Sequence, residues 1–168
     1  KTSKENFYEN NLLSANTVTE NRGWKYALNE PAVKGIHNHD KTGNSRGGKI
    51  INPTEVDDIE KELIKFLDWA KNNPKVNGEH YEVAVLTFYL NQETELRKRI
   101  RKITKQNSFS KFSKDNSDIF LYTVDKFQGQ EADLVLLGFT KFTRDAHYNS
   151  PNRLNVALTR ARFKLVLF

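Results

Sequence analysis

Two rhythms of apolar residues run along the chain. Val56, Ile59, Leu63, Phe66, Leu67 and Ala70 recur every three or four residues, the spacing of one face of a helix. Asn52 stands before them as an N-cap, Pro53 takes the first helical position, and Glu55 is placed to close a capping box. A helix over 53–71 is predicted, ending before Asn72, Asn73 and Pro74. The second rhythm is a set of nearly unbroken apolar runs: VAVLTF at 83–88, IFLYTV at 119–124, LVLLGF at 134–139 and FKLVLF at 163–168. Such runs read as strands covered on both faces. Further helices are predicted over 91–103 and 151–161, the latter opened by Ser150 and Pro151 with Leu154, Ala157, Leu158 and Ala161 on one face. Residues 1–49, rich in Asn, Gly, Thr and Lys, predict irregular structure with a hairpin at most; WKYAL at 24–28 is their most strand-like run. Buried strands alternating with helices define an α/β fold with a mainly parallel central sheet.

Composition narrows the class. At 168 residues the chain is the size of one domain, and it contains no cysteine, which excludes disulfides, thiolate zinc sites and thiol nucleophiles. No run approaches the ~20 apolar residues of a membrane span, and the opening KTSKENFYEN lacks a signal peptide's apolar core. The expectation is an intracellular protein, cytoplasmic or nuclear, with no membrane partner. The start at Lys1 and the stop inside a strand-like run read as a piece of something longer. A net charge of +6 favours a polyanionic partner. From Arg97 to Lys114 there are eight basic residues and no carboxylate, with Phe109 and Phe112 among them. That mixture suits a strand of nucleic acid, and it equally suits a solvated helix face.

Ligands of open parallel sheets bind beyond the carboxyl ends of the strands, which directs attention to the loops. TVDKFQGQEAD, from Thr123 to Asp133, packs several polar groups into one connection. Gly129 lets backbone approach a phosphate or ribose, and Glu131 offers sugar hydroxyls a carboxylate; a polar surface turn has the same composition. In NRLNVALTRAR, from Asn152 to Arg162, Arg153 and Arg160 lie seven residues apart and share a direction on a helix. An arginine so held can meet a transferring phosphoryl group, or be one of a solvated pair. His37, His39 and Asp40 sit in a Gly- and Asn-rich stretch that reads as a loop rather than a metal site, and His80 and His147 have no partner pattern.

TVDKFQGQEAD resembles motif V, and NRLNVALTRARFKLVLF motif VI, of superfamily 1 helicases, in the branch typified by the up-frameshift RNA helicases and related DNA helicase-nucleases. VAVLTFYLNQETELRKRI resembles the preceding motif of that branch, and FYENNLL at 7–13 and INPTEVDDI at 51–59 resemble its flanks. The resemblance spans nearly the whole chain. It implies that residues 1–168 are a second RecA-like motor domain, a three-layer sandwich. Carried over residue by residue, it makes Arg160 the catalytic arginine finger and places Gln128, Gly129, Glu131 and Arg160 on ATP. Thr87 and Thr123 fall where the family contacts the phosphodiester backbone, while Phe88 stands in place of the usual proline and Tyr89 and Gln92 match the pattern. The cofactors implied are ATP and Mg, used by the full-length protein. No GxxxxGK[ST] loop and no magnesium-binding acidic pair occur here, so the chain alone is expected to be inactive. The partners implied are single-stranded DNA or RNA and the first RecA-like domain of the same protein. Arg160 and Glu131 are expected on one rim, at the carboxyl ends of the strands. The competing expectation is a non-catalytic nucleic-acid-binding or regulatory RecA-like module.

Overall fold

The Asn52 side chain accepts a hydrogen bond from Glu55 N at 3.1 Å and starts helix α1, Pro53–Asn72. The computed structural model describes residues 24–36, 44–46, 49–140 and 151–168, with backbone alone for 44–46 and 151–154. In α1 the stripe from Val56 to Ala70 is buried, as its spacing predicts. Glu55 does not close a capping box. Asn52 N donates instead to Gln92 Oε1 at 2.9 Å, and the Glu55 carboxylate turns into the protein.

All four apolar runs are strands, placed within about two residues of expectation. They are β4 (Tyr81–Thr87), β6 (Ser117–Thr123), β7 (Ala132–Gly138) and β8 (Ala161–Leu167). Between them lie α2 (Leu90–Thr104), a 3-10 turn at Val124–Phe127, and α3 (Pro151–Leu158). Short strands β1 (Val33–Gly35) and β5 (Lys111–Lys114) complete a six-stranded sheet of order β1-β8-β7-β4-β6-β5, in which only β5 runs antiparallel to its neighbour. A separate antiparallel pair, β2 (Asn44–Arg46) with β3 (Lys49–Ile51), is the hairpin allowed for the first fifty residues.

Side chains alternate between the two faces of the sheet. On one, α1 and α2 bring Phe66, Leu96 and Ile100 over Val83, Val85 and Leu134. On the other, the 3-10 turn and α3 bring Phe127 and Ala157 over Ala84, Leu86 and Val135. Each fully buried Phe or Leu contributes about 1.5–3 kcal/mol through removal of apolar surface from water. This helix–sheet–helix layering is the α/β, RecA-like architecture expected.

Two expectations are corrected, while the irregular structure expected around WKYAL is present: Tyr26 to Asn29 form a turn, and Trp24 and Tyr26 are buried because aromatic packing outweighs their strand preference. Trp24 stacks on Phe163 with ring centroids 5.0 Å apart. Helix α3 ends at Leu158, so Arg160 lies in the turn after it and Ala161 begins β8. Part of the basic run is β5, which contributes Phe112 to the core at 2% exposure. Residues 7–13, His37, His39, Asp40 and His147, and the side chains of Arg153 and Leu154, lie outside the described residues.

Candidate functional site

Parallel pairing gives the sheet distinct ends, and the residues singled out in the sequence divide between them. At the carboxyl end, Thr87 of β4 is in register with Thr123 of β6 and with Gly138 of β7. The two threonines implied to touch nucleic acid are therefore neighbours. Both are covered: Thr87 is 0% and Thr123 7% exposed, and the Thr87 hydroxyl lies 3.3 Å from that of Thr140.

Behind Thr87 sits a buried polar knot. Gln92 Nε2 donates to Glu55 Oε1 at 2.9 Å, and Thr140 donates to the same carboxylate through its backbone N at 2.6 Å and its hydroxyl at 3.1 Å. Thr140 has φ 66, a left-handed conformation that strains a β-branched residue, and these two bonds hold it there. Gly138 makes room for the carboxylate, since a Cβ there would collide with Glu55 Oε1. Burial pushes the Glu55 carboxyl up to about 7, although the Thr140 and Gln92 donors pull it down. An acid with a raised folded pKa contributes stability that is complete below its unfolded pKa and is lost as pH rises through the folded one. Glu55 should therefore cost the fold about 3 kcal/mol between pH 4.5 and pH 7. Glu30 acts at the acid limit in the opposite sense. Burial opposes its charge, but the Lys65 and Lys164 ammoniums hold it at about 2, so its contribution is lost as pH falls from 4.5 towards 2. Urea unfolding at pH 5 and pH 8 checks the Glu55 effect: the stability gap between wild type and Glu55→Gln should change by about 2.5 kcal/mol, since part of the loss has already occurred at pH 5, whereas a constant gap would rule it out.

At the opposite end lie Glu131 and Arg160. Each immediately precedes a strand, and Ala132 of β7 pairs with Ala161 of β8, so both belong to the amino end of the sheet. The shared rim is as expected, and its location at the carboxyl ends is corrected. The segment after β6 crosses the sheet through the 3-10 turn before β7 begins, and α3 returns the chain likewise to the start of β8.

The local geometry follows from the sequence. Gln130 N donates to Phe127 O at 3.2 Å, closing a turn in which Gly129 takes φ 80, a conformation that suits glycine. Among the described residues, its chain neighbours apart, no atom lies within 4 Å of where a Gly129 Cβ would be, so none of them blocks approach to this backbone. Gln128, Gly129, Gln130 and Glu131 are all exposed. The Arg160 guanidinium bonds to Gln130 O at 3.2 Å and, through Nε, to Val156 O at 2.8 Å, while Ala132 N donates to Arg160 O at 2.9 Å. Among the described residues no carboxylate pairs with Arg160.

Arg162 and Asp133 organise this rim, and the sequence reading gave neither a role. Asp133 is 1% exposed, accepts from Lys75 Nζ at 2.8 Å and Glu82 N at 2.9 Å through Oδ2, and accepts from Arg162 at 2.9 Å through Oδ1. Arg162 also pairs with Glu82 and reaches Glu131 Oε2 at 3.7 Å. Burial works against the Arg162 charge, but Glu82 and Asp133 more than offset it and raise its pKa. The available signal was the carboxylate one residue into a buried strand, which requires a cation.

The family model described as "AAA domain" matches residues 1–168, the entire chain. Regulator of nonsense transcripts 1 of Dictyostelium discoideum is 32% identical over 127 residues, 74% of this chain and 9% of that protein. Helicase sen1 of Schizosaccharomyces pombe is 31% identical over 170 residues, 96% of this chain and 9% of that protein. An uncharacterized ATP-dependent helicase of Methanocaldococcus jannaschii is 41% identical over 56 residues, 33% of this chain and 8% of that protein. The chain belongs to this AAA domain family, within the up-frameshift and Sen1-like superfamily 1 helicases. It spans about a tenth of the length of these relatives. No helix among the described residues is long and apolar enough to cross a membrane.

Proposed function

We propose that this chain is the second motor domain of an ATP-dependent helicase or translocase, and that it presents Arg160 and the Gln128–Glu131 turn to ATP held mainly by another domain of the same protein. The observation that carries this reading is the bond from Arg160 to Gln130 O, which joins the two segments implied to face the nucleotide on one rim. The residues present fit one side of a nucleotide. The exposed Glu131 carboxylate suits ribose hydroxyls, Gly129 leaves backbone accessible, and a guanidinium in a short turn matches the spread charge of a transferring phosphoryl group. ATP supplies the free energy of its hydrolysis; this domain's residues bind and orient. No group of three acidic or histidine ligands occurs among the described residues, so no step here is assigned to magnesium.

The strand-gripping surface is placed at the other end of the sheet, where Thr87 and Thr123 meet. Because Thr87 is fully covered, its contact with a phosphodiester requires movement of whatever packs over it. Helicase activity of the whole protein follows from alternate closing and opening of two domains around ATP. The relatives' names support this as far as they go: two of them are called helicases.

The isolated 168-residue chain is expected to show no ATPase activity above background, and at most weak single-strand binding that falls steeply with salt. Robust hydrolysis by the purified chain, unchanged in Arg160→Ala, would overturn the split-cleft reading.

A further inference from the structure

The basic run between Arg97 and Lys114 resolves into two kinds of cation. Arg97 pairs with Glu93, Lys98 with Glu95, and Arg99 with Asp57 and Glu60, so their charges are answered within the fold. Among the described residues Arg101 and Lys114 meet only carbonyl oxygens, those of Ser108 and Ile103, and no carboxylate pairs with either. Lys102, Lys105 and Lys111 are exposed and have no carboxylate partner among the described residues. Five cations therefore stand unneutralised around one short stretch of chain.

The two phenylalanines within the run also separate. Phe112 is buried in the core, whereas Phe109 is 63% exposed. An exposed phenylalanine needs no explanation by itself, but this one is held from behind. The Arg97 guanidinium lies 3.9 Å from the centroid of its ring. Arg97 is fixed in turn by Glu93 and by donating from Nε to Phe109 O at 2.6 Å, and it is only 7% exposed. One ring face is thus backed by a clamped cation, and a residue 63% exposed keeps much of its surface in water. The ring's position is set by its backbone. The β5–β6 ladder continues one residue before β5, with Leu121 N donating to Ser110 O at 2.8 Å, so Phe109 precedes the ladder at the end nearest Thr123.

We propose that Phe109 is a stacking platform for a base of single-stranded nucleic acid, seated on the open edge of the sheet beside its carboxyl end. The inference rests on the strand-binding function proposed above and adds a base contact on a strand edge that no backbone-contacting residue occupies. A ring already immobilised costs little entropy when it stacks. Stacking on an aromatic is tolerant of sequence, as a translocating motor requires, and the surrounding cations draw in the phosphates that flank the base. The platform and the grip at Thr123 would meet successive nucleotides of one strand.

The test measures equilibrium binding of a fluorescently labelled oligothymidylate, and of a strand of equal length made of abasic sites, to the intact protein that contains this domain, at several low salt concentrations. Phe109→Ala should weaken oligothymidylate binding roughly 5- to 150-fold without changing the salt slope, because the ring carries no charge. Phe109→Tyr should restore it. On the abasic strand, wild type and Phe109→Ala should bind alike. Lys111→Gln should instead lower the salt slope by about 0.7, the value for one single-strand phosphate contact. Equal binding of wild type and Phe109→Ala to oligothymidylate, or an equal loss on the abasic strand, overturns the platform while leaving the motor reading intact. Absence of any salt-dependent binding by wild type removes the strand-binding function and the platform together.

Discussion

Replacing Arg160 by alanine in the intact protein is expected to lower ATP turnover by about 10³ or more, the effect of losing an arginine finger. Among the described residues Arg160 bonds to carbonyl and hydroxyl oxygens at Val156, Gln130 and Thr159. Water can replace these partners at a partly exposed site, so the fold should change in stability by no more than about 0.5 kcal/mol. Arg160→Lys keeps the charge and loses the planar fork, and should recover only a small part of the rate. Steady-state ATPase assays beside thermal melts separate the two effects. Normal turnover by an Arg160→Ala enzyme that melts like wild type would leave this residue a helix-end donor and nothing more.

Asp133→Ala is expected to be the most destabilising change on the same rim, by about 3–5 kcal/mol, the cost of breaking a buried charge network by removing one partner. It would leave Glu82 N without its acceptor and Lys75 and Arg162 without the carboxylate between them. Asp133→Asn retains an oxygen for some of these donors and should cost less. Urea midpoints at neutral pH give the comparison, with a loss under about 1 kcal/mol for alanine showing that Glu82 alone satisfies Arg162. A functional signature should accompany the loss, since Arg162 ties together the turns that carry Glu131 and Arg160.

The four interior strands and α1 were legible because one physical demand sets each of them. A strand covered on both faces must be apolar throughout, as 83–88 and 134–139 are, and a helix on such a sheet must show one stripe, as Val56 to Ala70 does. The edge strands had no such pressure. Val33–Gly35 is three residues long, and Lys111–Lys114 alternates a single buried Phe112 with polar neighbours inside a segment whose charge pointed elsewhere. The polar site was half legible. Gly129 and the Arg160–Glu131 rim follow from motif likeness, but their end of the sheet does not, because the carboxyl-end rule for parallel sheets points away from residues that stand just before β7 and β8. Glu55 shows the limit most clearly. Three residues after an asparagine N-cap, a glutamate normally reads as a local partner, and only the fold reveals Thr140, 85 positions away, as its true donor.

The pairing of β1 with β8 also sets the order in which the domain can be made. Val33 lies opposite Leu165 and Ile36 N donates to Leu167 O, so β1 waits for a neighbour some 130 residues downstream. At a ribosomal rate of about 5–20 residues per second that wait lasts roughly 6 to 26 s. In its last part, after β7 is made and before β8 follows, the flank of β7 that β8 will cover is an open apolar edge, the kind that invites pairing with another chain. Trp24 has no Phe163 to stack on until the same moment. On a nascent chain, Trp24 fluorescence would report the closing of the sheet, and β7 would be the segment most in need of a chaperone before it.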